Sequence, residues 1–500
     1  MKVMLIGLDG ACIDLIGRWA CDGKLPTFAR LMSEGSYGNL ESVIPPLTIP
    51  AWNCLTTGKN PGKTGIFSFV QKEFGSYEFK VYLERFIKER DVWDVLSAHG
   101  KRVFVLNAPN VISAYPVNGN MIAGILCPSE NLLTYPRSLR WKLEELNYNR
   151  GSGYLISFLA AEDRTLSKTL MEITESNCRV LFHLMEDDWE FGFVVFTELD
   201  GAQHKFWENE MLLLRHYRNI DRKLKEILDK LHKEDDETIV IIASDHGFGP
   251  NKRVFLVNEW LARKNLLKLR RKTSAIAFNS FIRAFGEDRI LSALGVFMRF
   301  SFLTPLYECL LRRAVSTPVK WEKTVAFSYG NWGTIYINLK GREPNGIVEE
   351  NEYEAMRSNI IKELSEISVK AHRREEIYHG EYVEHAPDVI IEIDENVNSV
   401  SGKVGYNREF IRGSLLSGYH SRDNGTFIAY GHGIKEKNRI SASIYDVAPT
   451  ILYIFGVPVP MDVDGRVLRE IFRDDIRDDI YMERRRITTG IKALKECGRI

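Results

Sequence analysis

The segment VMLIGLDG, residues 3–10, is a continuous apolar run that stops at Asp9. Two later segments repeat this pattern, because FVVFTELD stops at Asp200 and TIVIIASDHG stops at Asp245 before its final HG. Short apolar runs without polar alternation are typical of strands that are buried on both faces of a parallel sheet. The three segments therefore predict buried strands of an α/β fold, and each strand leads into a carboxylate.

Similar apolar runs alternate with helical patterns along much of the chain, which favours an α/β sandwich with a largely parallel sheet. The predicted strands are Val3–Leu8, Val103–Leu106, Phe193–Phe196, Ile239–Ala243 and Val389–Ile391. The predicted helices are Leu25–Glu34, Asp91–His99, Glu208–His232 and Asp446–Phe455.

One stretch interrupts this alternation and divides the predicted core in two. Between residues 264 and 313 the sequence is apolar and helical in character, with ten basic residues against three acidic ones. We therefore predict a first core part (1–263), a basic helical insertion (264–315), a second core part (316–472) and a charged C-terminal helix or tail (473–500). The insertion is either a packed helical subdomain or a cap that gives the site its substrate selectivity.

The composition is that of an ordinary globular protein and excludes several classes. Of 500 residues, 67 are Lys or Arg and 67 are Asp or Glu, so net charge does not favour stable binding to nucleic acid. The seven cysteines lack CxxC spacing, and no apolar run approaches the roughly 20 residues of a membrane span. The N-terminal apolar run is too short for a signal peptide, so we expect a cytoplasmic protein. The oligomeric state is left open.

The carboxylates at the strand ends are candidate metal ligands. Ligands bind at the carboxyl edge of parallel strands, so Asp9, Asp200 and Asp245 are expected to meet there. His204 follows Asp200 by one helical turn, and His246 is adjacent to Asp245. Oxygen and imidazole ligands without thiolate favour Zn²⁺, with Mn²⁺ as the alternative.

A candidate nucleophile lies in the segment PPLTIPAWNCLTTG, residues 45–58. Thr48 precedes Pro50 by two residues, and proline is favoured in the first turn of a helix. We therefore expect Thr48 at or beside a helix N-cap, where free N–H groups can face a phosphate. A capping threonine without catalytic function is the alternative interpretation.

Several motifs in a fixed order resemble the alkaline phosphatase superfamily, in its type I phosphodiesterase and nucleotide pyrophosphatase branch. They are LIGLDG, LTIPAW, TTGKNPGKTGIF, TELDGAQH, SDHGFGP, GYHSRDNGTFIAYG and YDVAPTILYIFGVPVPMDVDGR. The resemblance implies a three-layer sandwich and two divalent metal ions. It implies one ion held by Asp9, Thr48, Asp245 and His246, and the other by Asp200, His204 and His420.

The chain departs from this family pattern near the nucleophile. Extracellular members carry a phosphate-contacting asparagine three residues after the nucleophile, where this chain has Ala51, with Asn53 two residues further on. The backbone N–H groups after Thr48 are therefore expected to contact the phosphate instead. The arginine that a sulfatase requires in this segment is also missing.

The resemblance implies hydrolysis of phosphodiesters or nucleotide pyrophosphates through a phosphothreonine formed at Thr48. The partner would be a small phosphate ester or nucleotide. A phosphomonoesterase or phosphomutase on the same core is the second candidate. An inert protein that binds a phosphate ligand is a third, which the intact set of seven positions disfavours.

Overall fold

The computed structural model describes residues 1–81, 89–151, 163–234, 237–270, 319–413, 416–473 and 481–482. Its largest element is a nine-stranded sheet, to which four of the five predicted strands belong. From one edge to the other, its strands are Asn438–Ser443, Ser36–Glu41, Gly425–Gly431, Ile239–Ala243, Val3–Leu8, Phe191–Phe196, Val103–Ala108, Gly119–Ala123 and Thr134–Tyr135.

The sheet is mostly parallel, as predicted. Val3–Leu8 occupies its centre and pairs in parallel with Ile239–Ala243 on one side and Phe191–Phe196 on the other. Two strands run in the opposite direction. Gly425–Gly431 lies between Ile239–Ala243 and Ser36–Glu41, and Thr134–Tyr135 lies at one edge. The three strands that lead into Asp9, Asp200 and Asp245 are thus adjacent, and their carboxyl ends lie at the same edge of the sheet.

Helices cover both faces of this sheet in two groups, which gives three layers. Each group packs against the sheet and within itself. One group contains Ile13–Cys21, Pro26–Glu34, Asp163–Leu184, Glu198–Phe206 and Glu210–Glu234, and the other contains Thr48–Thr57, Val92–Ala98 and Val447–Ile454. In the described part of the chain, no helix has the length and apolar character needed to cross a membrane.

A second, smaller core lies around a four-stranded sheet. The predicted strand Val389–Ile391 is present but belongs to this small sheet, where it pairs antiparallel with Thr334–Ile337 and Ala371–Arg373. An apolar run indicates that a strand is buried, but it does not indicate which sheet the strand joins. The strand was therefore predicted, but its place outside the large sheet was not. Ala326–Phe327 completes the sheet, and helices Val257–Arg263 and Tyr353–Glu366 flank it.

Short elements lie around these two cores. The helices among them are Pro61–Thr64, Leu139–Glu145 and Arg374–Ile377, and the 3₁₀ helices are Glu130–Leu132, Trp321–Lys323, Glu350–Glu352, Val383–His385, Ile444–Asp446 and Arg469–Ile471. The strands are Val70–Lys72 with Phe79–Val81, Gly247–Pro250 with Gly418–Ser421, and Val254–Leu256 with Ser399–Ser401 and Phe410–Ile411.

Most of the predicted insertion (264–315) lies outside the described residues, but its flanks are described. Leu267 is buried in the smaller core, Leu269 forms an antiparallel bridge with Val319, and the amide of Lys320 donates to the carbonyl of Lys268 at 2.7 Å. The two flanks of the segment therefore meet. In the predicted C-terminal helix or tail (473–500), Tyr481–Met482 is a short strand, and the rest beyond Arg473 lies outside the described residues.

Candidate metal centre and active site

Asp9 and Asp245 lie side by side because their strands are neighbours in the sheet. The amide of Asp9 donates to the carbonyl of Phe196 at 3.0 Å, which continues the ladder by one residue. The chain then turns at Gly10, whose φ is 71° and whose amide donates to Oδ1 of Asp245 at 3.1 Å. A positive φ favours glycine, so this turn explains the Asp-Gly sequence.

The first group of candidate ligands contains Asp9, Asp245 and His246, all of them buried. Nε2 of His246 lies 3.2 Å from Oδ2 of Asp245 and 3.6 Å from Oδ1 of Asp9. Neither of these two carboxylate oxygens has a hydrogen-bond donor among the described residues. Three acceptor atoms therefore face one another in a buried space. A cation bound between them would supply the positive charge that they lack.

The second group contains Asp200, His204 and His420. Asp200 is in the first turn of helix Glu198–Phe206, and His204 follows one turn later, as its spacing predicts. His420 arrives on strand Gly418–Ser421, and its Nε2 lies 3.1 Å from Oδ1 of Asp200 and 3.0 Å from Nε2 of His204. His246 connects the two groups, because its ligand atom also lies within 4.8 Å of ligand atoms of Asp200 and His420.

The tautomers of the three histidines follow from their backbone contacts. Nδ1 donates to the carbonyl of Gly247 in His246 (3.0 Å), of Gly418 in His204 (2.9 Å) and of Pro46 in His420 (2.8 Å). A carbonyl oxygen can only accept, so each neutral ring carries its proton on Nδ1 and a lone pair on Nε2. All three lone pairs are thus directed into the site, as in histidines that bind metals.

The electrostatics of the site are those of a cluster that lacks positive charge. Burial raises the pKa of Asp9 well above its ordinary value, and Asp245 and Asp200 raise it further. Burial also raises the pKa of Asp245, and it lowers the pKa of both His246 and His204. In Asp200, burial is outweighed by the protonated forms of His204 and His420, so its pKa is lowered in the metal-free site. A divalent cation would offset the repulsion between these carboxylates.

Thr48 lies beside the first group. It is the first residue of helix Thr48–Thr57, with Leu47 at the N-cap, and its Oγ1 lies 3.5 Å from Nε2 of His246. Leu47, the N-cap residue, has no side-chain oxygen with which to cap the helix. The hydroxyl is therefore placed for chemistry at a helix N-terminus, and the structure brings all seven predicted residues into one site.

Asn53 does not replace the family asparagine missing at Ala51. Its side chain is buried and donates to the carbonyl of Ile49 at 2.8 Å, so it is used within the helix. Sequence reasoning missed two supporting residues. Trp52 donates its indole N–H to Oδ2 of Asp9, and Gln203 donates to the carbonyl of Gly10 at 2.7 Å. Both contacts depend on distances between elements and leave no signal in residue spacing.

Four basic residues that a phosphate could attract are each paired with acidic residues. Arg342 contacts Asp388 in the smaller core, Lys63 contacts Asp464, and Arg422 contacts Glu41 and Glu392, while the exposed Lys340 pairs with Glu349. The structure thus gives these four residues structural partners, and none of them is assigned a catalytic role.

The sequence profile of the type I phosphodiesterase / nucleotide pyrophosphatase family matches residues 3–414. The chain belongs to this family. The family consists of hydrolases of phosphodiesters and pyrophosphates, so the general reaction class follows from membership. A search among curated proteins finds no match.

Solved structures share the fold at low sequence identity. Human ectonucleotide pyrophosphatase / phosphodiesterase 5 aligns with a TM-score of 0.56 and 14% identity, over 95% of this chain and 100% of its own. The murine protein of that name aligns with a TM-score of 0.54 and 13% identity, over 94% of this chain and 100% of its own. An inactive threonine-to-alanine variant of the murine protein, in complex with AMP, gives 0.52 and 13%, over 91% and 95%. At these identities the likeness supports the alkaline-phosphatase-like sandwich and no residue role.

Proposed function

We propose that the chain hydrolyses phosphodiesters or nucleotide pyrophosphates with two divalent cations and with Thr48 as nucleophile. The observation that carries this proposal is the pair of acceptor clusters joined at His246, with a threonine hydroxyl 3.5 Å from the shared imidazole. Zn²⁺ is the expected ion and Mn²⁺ the alternative, because every ligand offers oxygen or imidazole nitrogen.

The residues present fit such ions. Asp9, Asp245, His246 and Thr48 would hold one, and Asp200, His204 and His420 the other. When bound, the ions supply Lewis acidity that lowers the pKa of a hydroxyl or water and stabilises the departing oxygen. The fit rests on Oδ1 of Asp9 and Oδ2 of Asp245, which face Nε2 of His246 without a hydrogen-bond donor among the described residues, and on the 3.0 Å approach of Nε2 of His204 to Nε2 of His420.

Thr48 performs the covalent step in this proposal. Its Oγ1 forms a bond to phosphorus, the bond from phosphorus to the leaving oxygen breaks, and the hydroxyl proton passes to solvent. Water then cleaves the phosphothreonine and releases the phosphorylated product. Pro50 has no N–H, and the amide of Ala51 donates to the carbonyl of Leu47 at 2.9 Å. The amides of Thr48 and Ile49 are therefore the ones we assign to the phosphate oxygens.

The murine relative adds support by analogy. It was solved as an inactive variant in which a threonine is replaced by alanine, with AMP bound. That description applies to the murine protein, and for this chain it motivates nucleotides as the first substrates to test.

The test compares bis(p-nitrophenyl) phosphate with p-nitrophenyl phosphate after removal of metal and reloading with Zn²⁺ or Mn²⁺. We expect faster turnover of the diester, loss of activity with chelator, and recovery on reloading. Faster turnover of the monoester would favour the phosphomonoesterase alternative. Metal binding with neither activity would favour the inert binding protein.

A matched pair of variants tests the nucleophile. Thr48→Ala should bind metal but lose several orders of magnitude in kcat, while Thr48→Ser retains part of it. Thr57→Ala is the control, because Thr57 is on the same helix and its hydroxyl donates to the carbonyl of Asn53. With the diester as substrate, rapid quenching should trap the phosphoryl group with its remaining ester on the parent and not on Thr48→Ala. Turnover by Thr48→Ala near the parent rate would refute the role.

A further inference from the structure

The two carboxylate oxygens of Asp9 have different contacts, because only one of them accepts a hydrogen bond from the indole of Trp52. Trp52 is fully buried, and its Nε1 donates to Oδ2 of Asp9 at 3.2 Å. The other oxygen, Oδ1, is buried, has no hydrogen-bond donor among the described residues, and faces Nε2 of His246. The hydrogen bond thus fixes the rotation of the carboxylate and leaves one oxygen directed at the site.

The same helix positions the nucleophile. Trp52 follows Thr48 by four residues in helix Thr48–Thr57, so the two side chains share one face. The indole lies directly on strand Val3–Leu8, where a Cβ built on Gly7 would come within 2.5 Å of its Cη2. Its ring also packs against Phe193, with centroids 5.8 Å apart. Both the helix and the strand therefore hold the indole in one orientation.

The two carboxylate oxygens of Asp245 also have different contacts, and here the hydrogen-bond donor is a backbone amide. Its Oδ1 accepts from the amide of Gly10, and its Oδ2 faces His246. Each carboxylate of the first group thus has one oxygen held by a neutral N–H and the other left for a ligand. Only the Asp9 donor is a side chain, so only that contact is open to substitution.

We propose that Trp52 is a positioning residue that sets the metal affinity of the group formed by Asp9, Asp245, His246 and Thr48. This inference rests on the proposed function, because it requires a cation at that group. Donors that orient metal-binding carboxylates typically contribute 10–100-fold to affinity. The polar contact of Trp52 is with Oδ2 of Asp9, so its effect would pass through that carboxylate.

The experiment measures Zn²⁺ and Mn²⁺ affinity by competition with a chromophoric chelator, using the full chain. Trp52→Phe removes the N–H and keeps an aromatic ring. We expect the affinity for one of two ions to fall about tenfold, and the affinity for the other to stay within about twofold. With Co²⁺ bound, the visible absorption of one ion should also change, since the contact orients one of its ligands.

Trp93→Phe is the matched control. Trp93 is also fully buried and packs on Phe193, but its Nε1 donates to the hydroxyl of Tyr115 at 2.7 Å, away from the metal ligands. It should lose stability without a change in metal affinity. Equal affinities in Trp52→Phe and the parent, or equal losses in both variants, would overturn the inference. A parent that binds no ion would instead refute the proposed function.

Discussion

Replacing Gly7 with alanine should disturb the proposed metal site from inside the sheet. The added methyl group would lie 2.5 Å from Cη2 of Trp52 and 2.9 Å from Cγ2 of Val195, whereas carbon atoms in contact are about 3.5–4.0 Å apart. Strand Val3–Leu8 is hydrogen-bonded to a neighbour on each side, so its backbone cannot move away. The indole must therefore shift by about 1 Å, and its hydrogen bond to Asp9 shifts with it.

The magnitude combines two effects on stability. Overpacking a buried site costs about 1–3 kcal/mol. Alanine recovers about 0.5–1 kcal/mol of the conformational entropy that glycine loses in a strand. We therefore expect the free energy of unfolding of the metal-free protein to fall by about 1–2 kcal/mol, measured by urea denaturation. The affinity for one of two metal ions should fall roughly tenfold through Asp9.

Gly192→Ala is the control for overpacking alone. A Cβ on Gly192 would meet the ring of Phe104 at 2.3 Å, and Gly192 pairs with Met4, three residues before Gly7 and about 10 Å from it along the sheet. It should destabilise the protein without weakening metal binding. The reasoning is wrong if Gly7→Ala binds both ions as tightly as the parent does, or if Gly192→Ala weakens binding equally.

Three further predictions concern other parts of the molecule. Loading with Zn²⁺ should raise the urea midpoint of the parent more than that of His246→Ala, because His246 joins both groups; equal shifts would exclude a shared ligand. Burial lowers the pKa of His216 to about 4. Its imidazole therefore stays neutral in the folded state, whereas in the unfolded state it takes up a proton below a pH of about 6.5. Stability is then lost as pH falls from about 6.5 to about 4, and denaturation curves should show the parent losing about 3 kcal/mol more than His216→Gln over this window. Replacing residues 271–318 with a short linker should preserve folding and hydrolysis of a small activated diester, because Leu269 and Val319 already form a bridge. An unchanged ranking among larger substrates would contradict the cap hypothesis for the predicted insertion.

The central strands could be predicted from sequence because their apolar runs are unbroken. Val3–Leu8 and Ile239–Ala243 have the predicted bounds, since burial on both faces forces every residue to be apolar. The partners of a strand are set by long-range packing, which periodicity does not report. The central antiparallel position of Gly425–Gly431 and the separate sheet of Val389–Ile391 were therefore beyond prediction.

The residues of the candidate site could likewise be predicted only in part. Asp9, Asp200 and Asp245 could be found because each follows an apolar strand, and His204 because one helical turn separates it from Asp200. His420 required the family motif, since the chain has eleven histidines. The donors behind the ligands, Trp52 among them, depend on how closely a helix approaches a strand. Such distances follow from packing and have no signature in the order of residues.

The place of strand Gly425–Gly431 affects how the nascent chain matures. It lies between strands synthesised far earlier, Ser36–Glu41 and Ile239–Ala243, and it joins both of them antiparallel. Until it leaves the ribosome, Ser36–Glu41 has no partner strand, because its other neighbour, Asn438–Ser443, is synthesised later still. The rest of the sheet ends in an open edge at Ile239–Ala243, which invites mispairing. His420 is synthesised only five residues earlier, so the second group of candidate ligands and the large sheet are completed at nearly the same point of synthesis. A chain stopped before residue 420 would thus offer a chaperone one unpaired strand and one unfinished sheet edge, and it would lack His420 of the second ligand group.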